Sequence, residues 1–317
     1  MKLACLVCLL GSVAWAQSDP TRTDNENFEQ TEVTSSDEGF SNAIRPITNP
    51  VYFDLPLPMS NIHPFFINQN MPGSISTTAG DLSLGGNFQV YAVQAEFALD
   101  ETISLIAAKD GYIVFDPDST LTSDSGFANL AAGAKWAFYY DPEDQLAVAL
   151  KAIFEFPTGS RGVFQGGNYS AATPSISFIK IWDEIQVIGQ VGAILPFNDS
   201  GSKEINTSWH ASYNVKDFFF PLVELNTFHV VDTGNGSPRY PAQAGGAVPG
   251  IVTFEGGDLI NFGASNSDQH DIVTLGFGFR VRPLDSLDVG FAFEIPLTQS
   301  NTNLMENRTT VDVVWRF

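Results

Sequence analysis

The chain ends in VDVVWRF, residues 311–317, and this stretch decides the fold. Val311, Val313, Trp315 and the terminal Phe317 occupy every second position, and two of the three residues between them are charged. Successive side chains of a β-strand point to opposite faces, so these four large apolar side chains share one face. The stretch therefore predicts a closing strand with one apolar and one more polar face.

The same alternation recurs upstream, from Leu82 onward. In the clearest segment, one face carries Leu130, Ala132, Ala134, Trp136, Phe138 and Tyr140, and the other carries Asn129, Gly133, Lys135 and Tyr139. A helical period of 3.6 would scatter both sets around its axis, so the segment is a strand. Eleven segments follow the pattern: residues 84–99, 102–115, 127–140, 145–157, 171–182, 185–197, 205–215, 218–231, 271–282, 286–297 and 308–317.

The connections between these segments alternate in length. Tight turns fall at residues 100–101, 141–144, 183–184, 216–217 and 283–285, and longer polar loops at 116–126, 158–170, 198–204, 232–270 and 298–307. Outer-membrane barrels have short periplasmic turns and longer external loops. After residue 16 no apolar run approaches the length of a membrane helix, and in lipid only helices and closed barrels satisfy their backbone groups. The pattern predicts an all-β fold, a transmembrane antiparallel up-and-down β-barrel.

Parity adds one strand to the eleven. A last strand that runs from outside to the periplasm makes segment 84–99 run the same way, so an upward strand must precede it. We expect that strand at Ile62 to Met71, with Pro64 near its end. The prediction is thus a barrel of about twelve strands, an even number as bacterial barrels prefer, with periplasmic N- and C-termini.

The N-terminal region has the features of an exported protein. Lys2, the apolar run Leu3 to Val13 and the sequence Ala14-Trp15-Ala16 predict a signal peptide, residues 1–16, cleaved after Ala16. Both cysteines, Cys5 and Cys8, lie within it, so the mature chain would contain no disulfide or thiolate metal site. Residues 17–59 begin with an acidic stretch poor in large apolar residues, which predicts a largely disordered periplasmic leader. The barrel would then span residues 60–317.

The terminal alternation resembles the C-terminal signature by which outer-membrane barrels are recognised for assembly, carried by Val311, Val313, Trp315 and Phe317. Together with the signal peptide it predicts location in a bacterial outer membrane. The expected partners are outer-membrane lipid, the barrel-assembly machinery, periplasmic chaperones and a small-molecule solute. The formal net charge of −21 speaks against a nucleic-acid partner.

Charged residues on the polar faces are the candidate lumen lining. Charges that face lipid near the midplane cost about 2–4 kcal/mol each, so we expect them to point inward. The candidates are Glu96, Lys135, Lys151, Glu155, His210, Glu224, Arg280, Asp288, Glu294, Asp312 and Arg316. Two alternatives stay open at this point: the charges pair and fill a narrow barrel, or they line a water-filled lumen.

An enzymatic site is a weaker hypothesis. His210, Ser212 and Asn214 share one strand face, as in the His-x-Ser pair of outer-membrane phospholipases. That face is the polar one, whereas such a lipase needs these residues at the lipid boundary. No catalytic residue, metal site or cofactor is predicted, since no histidine pair has metal-ligand spacing and Asp116 to Phe127 lacks the glycine and glutamate of a calcium loop.

Loop 232–270 is long enough to act as a lid or plug, and its apolar pieces lead us to expect that it folds over or into the mouth. In pattern, residues 60–317 resemble the outer-membrane family labelled "MetA-pathway of phenol degradation", with phrases such as PLVELNTFH (221–229) and FEGGDLINFG (254–263). The resemblance implies a porin-like pore for small, hydrophobic or aromatic molecules. The alternatives are a non-conducting structural or surface-binding barrel and, third, a lipid hydrolase of the barrel type.

Overall fold

Alternating strand segments pair in sequence order around a closed antiparallel barrel. The computed structural model describes residues 39–317, except residues 168, 237–238 and 268–270. Within this range the barrel has twelve strands, two of them broken into parts: β1 Asn61–Asn70, β2 Asn87–Ala98, β3 Ile103–Lys109 with Gly111–Asp116, β4 Asp124–Phe127 with Leu130–Asp141, β5 Leu146–Phe156, β6 Ala171–Trp182, β7 Ile185–Pro196, β8 Lys203–Tyr213, β9 Phe219–Asp232, β10 Asp271–Leu284, β11 Leu287–Pro296 and β12 Asn307–Arg316.

Strand β1 closes the barrel. It pairs with β12 on one side and with β2 on the other, so neither edge of the sheet stays open. The pairing with β12 skips residues 63 and 64, where Pro64 has no N–H to donate. The predicted twelve-stranded architecture and the predicted first strand at residues 62–71 are confirmed, the strand beginning and ending one residue earlier.

The strands present an apolar face to the outside of the barrel and a more polar face to its interior. The outer face exposes a band of large aromatic side chains, among them Trp136, Phe138, Tyr139, Trp182, Trp209, Tyr213, Phe277, Phe279, Phe291, Trp315 and Phe317. One predicted face is wrong. A register shift between Ala137 and Tyr139 in β4 turns Tyr139 outward, and Tyr140 packs inward on Phe40 with ring centroids 5.4 Å apart.

The two ends of the barrel differ. Five tight turns and both ends of the strand ladder, at residues 61 and 316, lie at one end, which we call the turn end. The longer connections lie at the other, the loop end. They contain two short hairpins, Ser74–Ile75 with Leu82–Ser83 and Arg239–Pro241 with Ala247–Pro249, and two short 3₁₀ helices, Arg161–Val163 and Ser300–Thr302. No helix among the described residues is long and apolar enough to cross a membrane.

Residues 39–59, which we call the plug, lie inside the turn-end half of the barrel. The sequence interpretation assigned them to a periplasmic leader, and this part of it is corrected. The physical reason is that residues 39–59 carry large apolar side chains, whereas the acidic stretch before them has almost none. Phe40, Ile44, Ile47 and Phe53 are at most 1% exposed and contact inward side chains of the wall. The predicted signal peptide and the acidic start of the leader lie outside the described residues.

The connection between β9 and β10 fills the loop-end half, and we call its residues 233–267 the mouth loop. Phe254, Ile260 and Phe262 of this loop pack in one buried cluster with Phe88 and Phe115, whose strands supply the wall. The apolar stretches of the loop account for its position, because burying them removes a large hydrophobic area from water. Plug and mouth loop together occupy the interior from opposite ends.

Candidate functional site

The predicted lumen-lining residues all face the interior of the barrel. Nine of them are buried: Glu96, Lys135, Lys151, His210, Glu224, Arg280, Asp288, Glu294 and Asp312. Glu155 and Arg316 are partly exposed, near the loop end and the turn end respectively. Most of the nine contact the plug or each other and do not border an open lumen. Their role in lining a conducting pore therefore stays a prediction.

Two buried lysines hold the plug through Asp54. The Nζ of Lys151 lies 2.9 Å from one carboxylate oxygen of Asp54, and the Nζ of Lys135 lies 3.2 Å from the other. Lys135 also donates to Glu96 at 2.9 Å and to the carbonyl oxygen of Leu55 at 2.6 Å. Burial by itself raises the pKa of Asp54, but the positive charges of the two lysines outweigh it and lower that pKa below its usual range. Asp54 is therefore a carboxylate clamped between two ammonium groups.

Wall side chains also satisfy the backbone of the plug. The carboxylate of Glu224 accepts hydrogen bonds from the backbone N–H of Ile47 at 3.0 Å and of Thr48 at 2.6 Å. On the neighbouring strand β10, Arg280 donates to the carbonyl oxygen of Arg45 at 3.0 Å. An irregular segment buried inside a barrel needs such partners, because each unsatisfied peptide group is costly.

Sequence reasoning missed several residues of this network: Arg45, Asp54, His63, Asp258, Arg282 and Arg308. Parity alone finds two of them, since Arg282 shares a strand face with Arg280, and Arg308 shares one with Asp312. The signal for Asp54 is its position between buried Phe53 and Leu55, in a stretch far more apolar than the acidic leader before it.

Arg308 ties the mouth loop to the wall. Its two terminal nitrogens donate to the two carboxylate oxygens of Asp258 at 2.8 and 2.7 Å, and it also donates to Gln69 at 2.7 Å. Arg308 and Asp258 are both 2% exposed. A bidentate, fully buried arginine–carboxylate pair is among the strongest polar contacts a protein makes, so this pair is the principal polar anchor of the loop.

A second anchor consists of two neighbouring carboxylates, Glu255 of the mouth loop and Glu204 of β8. Glu255 accepts the hydroxyl of Ser202 at 2.5 Å and the backbone N–H of Ala264 at 2.9 Å. The amide of Asn261 donates to one oxygen of Glu204 at 3.0 Å, and no described residue donates to the other oxygen. Burial is the main cause that raises the pKa of Glu255 to about 7, against the lowering effect of these donors.

We expect docking of the mouth loop to weaken as pH rises. A carboxyl with a raised pKa in the docked state stabilises docking fully below its free pKa of about 4.3, and that contribution is lost as pH rises through about 7. Glu255→Gln keeps that side chain neutral at every pH, so it should strengthen docking at pH 8 and have little effect at pH 5. Pulse proteolysis of the mouth loop measures this, comparing variant and wild type at each pH. Equal cleavage of the two proteins at pH 8 would contradict the expectation.

His210 lies in a chain of hydrogen bonds. Its Nε2 is 3.0 Å from the Ser212 hydroxyl, and its Nδ1 is 2.7 Å from the Glu224 carboxylate. Asn214 takes no part, since its amide donates to Asp217 at 2.7 Å. The serine–histidine–carboxylate order is that of a nucleophilic triad. However, Gln186 donates to the same Nε2 at 3.1 Å and also bonds the plug backbone, so the group is enclosed between wall and plug.

The Ser212→Ala variant is therefore expected to show the same background rate of lipid hydrolysis as the wild-type protein. Ser212 is 7% exposed on the inner face, away from the aromatic outer face that meets lipid. A fluorogenic phospholipid assay on both proteins in mixed micelles checks this. A rate that depends on Ser212 would revive the hydrolase hypothesis.

The loop end holds an open cavity of about 380 Å³, between the connection after β5 and the mouth loop. Two arginines, Arg161 and Arg239, and four aromatic residues line it, while the apolar space beside it is lined by residues such as Leu121 and Val252. Across the described part of the chain, no group of three or more His, Cys, Asp or Glu side chains is placed to hold a metal ion.

Comparisons with known proteins agree with this architecture. The sequence model of a family described as "Putative MetA-pathway of phenol degradation" matches residues 65–311. No curated protein matches the sequence. Among solved structures, the COG4313 outer membrane channel from Pseudomonas putida F1 is similar, with a TM-score of 0.56 at 12% identity over 82% of this chain and 96% of that chain. That similarity supports the barrel fold.

Two porins show weaker similarity. The NanC porin has a TM-score of 0.46 at 6% identity, over 81% of this chain and 100% of that chain. The KdgM porin, solved in complex with disordered oligogalacturonate, has a TM-score of 0.44 at 8% identity, over 81% and 99%.

Proposed function

This chain belongs to the family described as "Putative MetA-pathway of phenol degradation", and from that premise we propose that it is an outer-membrane channel for the uptake of small molecules. The plug and the mouth loop hold it closed in the present state. The turn end would face the periplasm, as the short turns of such barrels do. The apolar cluster at the loop end favours hydrophobic or aromatic solutes.

One observation carries the proposal: the polar wall is covered by two segments of the same chain that are not part of its strand ladder. In the smallest barrels the side chains of the wall fill the interior. Here twelve strands enclose a space that the plug and the mouth loop occupy, joined to the wall by hydrogen bonds and ion pairs such as Lys151 with Asp54 and Arg308 with Asp258. Such contacts can break and re-form without disturbing the strand ladder, so the wall is a passage once the two segments move.

The charges of the wall favour a channel of weak ionic selectivity. The candidate lining contains six acids, Glu96, Glu155, Glu224, Asp288, Glu294 and Asp312, and four bases, Lys135, Lys151, Arg280 and Arg316. Selective pores use rings of one sign, and this mixture does not form one. Selection would then depend on size and on apolar contacts at the mouth.

A non-conducting barrel that binds partners at its loops is the second candidate, and the filled interior favours it. Planar-bilayer recording and liposome swelling with graded neutral solutes separate the two. Openings, together with swelling that falls as solute size rises, support the channel. No conductance from the wild type, nor from a variant without the plug and the mouth loop, would leave the surface-binding barrel.

We also propose that the last strand is the element recognised during assembly. Val311, Trp315 and Phe317 are all exposed on the outer face, from 38% to 67%, where assembly machinery and lipid can reach them. Periplasmic chaperones and the barrel-assembly machinery are the expected partners. Their recognition concerns only insertion into the membrane, and transport depends on the interior.

A further inference from the structure

The cavity at the loop end has the size and the chemistry of a ligand site. Its volume of about 380 Å³ falls in the range of small-molecule sites. The described residues that line it include Arg161 and Arg239 but no aspartate or glutamate. In a chain with 36 acidic and 15 basic residues, this combination is a local reversal of charge.

One wall of the cavity is a cluster of aromatic rings. The centroid of the Phe164 ring lies 4.9 Å from that of Tyr240 and 5.5 Å from that of Phe262, with interplanar angles of 62° and 87°. Phe164 has φ +61°, a left-handed backbone conformation that a bulky residue rarely adopts. Such strain persists where the surroundings impose it, and it clusters at ligand sites. Here it places the ring between the cavity and Phe115 inside the barrel, 4.8 Å away.

The two guanidinium groups flank this aromatic wall. The Nε–H of Arg161 donates to the carbonyl oxygen of Gly166 at 3.3 Å, which positions the side chain at the cavity. Arg239 precedes Tyr240 in the short hairpin of the mouth loop. A guanidinium presents a planar fork of donors that matches a carboxylate. The arginines therefore make the rim of the cavity suited to a small anion.

Two of the acidic groups near the cavity, Glu204 and Glu255, are buried behind its lining. Glu204 and Glu255 are 1% and 2% exposed, and Glu255 accepts from Ser202 and from backbone N–H groups. Tyr169 donates its hydroxyl to the carbonyl oxygen of Asn261 at 2.9 Å. Burial, and then the nearby carboxylates, raise the pKa of Tyr169, so that its phenol stays neutral and adds no charge to the lining.

We propose that this cavity binds a small aromatic carboxylate, its ring against Phe164, Tyr240 and Phe262 and its charge on Arg161 and Arg239. The proposal rests on the proposed uptake function and assigns the mouth a capture step for anionic aromatic solutes. A ligand with both an apolar ring and a carboxylate uses both parts of the site.

Calorimetric titration of the full-length protein in detergent tests the proposed site. Benzoate is the probe, and benzyl alcohol and benzylamine are its neutral and cationic counterparts. We expect benzoate to bind roughly tenfold or more tightly than either, with an affinity that falls as salt rises. Arg239→Gln should weaken benzoate binding roughly tenfold and leave benzyl alcohol unchanged, since it removes one charge-assisted pair. Lys203→Gln, which removes a partly exposed charge at the same end, is the matched control and should change little.

The outcomes separate this site from the channel itself. Benzoate binding no tighter than benzyl alcohol, or unchanged binding in the Arg161→Gln/Arg239→Gln double variant, would overturn the site and leave the channel untouched. Benzoate binding without solute flux in any variant would overturn the channel and retain the site. Each variant is first checked for the heat-dependent gel shift of a folded barrel. We expect every variant to show this shift, because the substituted side chains lie at the rim and not in the strand ladder of the barrel.

Discussion

Removal of both interior segments is expected to turn the closed barrel into an open channel. The variant lacks residues 39–59 and has a short glycine–serine linker in place of residues 233–270. It should carry roughly tenfold or more current than the wild type in planar bilayers, since large barrels without internal filling hold an aqueous lumen. The polar wall that would line this lumen includes Lys135, Glu224 and Arg280, which are at most 1% exposed while the plug is in place.

The two single removals are the internal controls of this experiment. Without the plug alone, the mouth loop still fills the loop-end half through the cluster that contains Phe254 and Phe262. Without the mouth loop alone, the plug still fills the turn-end half. Each single variant should therefore conduct less than the double variant. A double variant that shows the gel shift of a folded barrel but no conductance would refute the channel proposal.

The second large effect is expected from Asp54→Asn, which removes the carboxylate between two buried lysines. Breaking a buried ion pair by removing one partner costs about 3–5 kcal/mol, because it leaves a buried charge uncompensated. Lys151 loses its carboxylate partner, whereas Lys135 keeps Glu96. The cost is paid by docking of the plug and not by the strand ladder, since the plug can leave the interior. We therefore expect the plug to undock far more often.

Thiol labelling measures this undocking. Apart from Cys5 and Cys8, which lie in the predicted signal peptide, the chain has no cysteine, so Ala43→Cys places a single reporter in the plug at a position 2% exposed. Asp54→Asn should raise the labelling rate by a maleimide roughly a hundredfold or more, since labelling follows the population of the open state. Asp183→Asn, the same charge change in an exposed turn, is the control. Equal labelling rates in the two variants would show that the clamp does not hold the plug.

The ion pairs of Asp54 with Lys135 and Lys151 also predict how docking of the plug changes with pH. The pKa of Asp54 lies below its usual range, so its contribution to docking is present above the free pKa of about 3.9 and is lost as pH falls below that value. Acid therefore loosens the plug, whereas a rise in pH through about 7 loosens the mouth loop through Glu255. The two segments close the barrel together most firmly in mildly acidic solution.

The sequence by itself determined the wall of this protein. Strand positions, their number and their inward and outward faces follow from alternation with period two, because a strand between lipid and a polar interior sorts its side chains locally. Even the strand at residues 61–70 followed from parity. The faces of Tyr139 and Tyr140 were misassigned because a bulge precedes them. A bulge adds one residue to a strand and so exchanges the two faces after it, and the alternation in the sequence does not mark its position.

Only the tertiary structure decided what fills the barrel. The plug is held by side chains far away along the chain: Glu224 bonds Ile47 across 177 positions, and Arg280 bonds Arg45 across 235. No local pattern in residues 39–59 indicates those partners, because the partners lie on distant strands that only the closed barrel brings to one place. The last strand, which predicts the barrel so clearly, carries Asp312 inward to His63 and Arg280, and those partners became visible only once the barrel was closed.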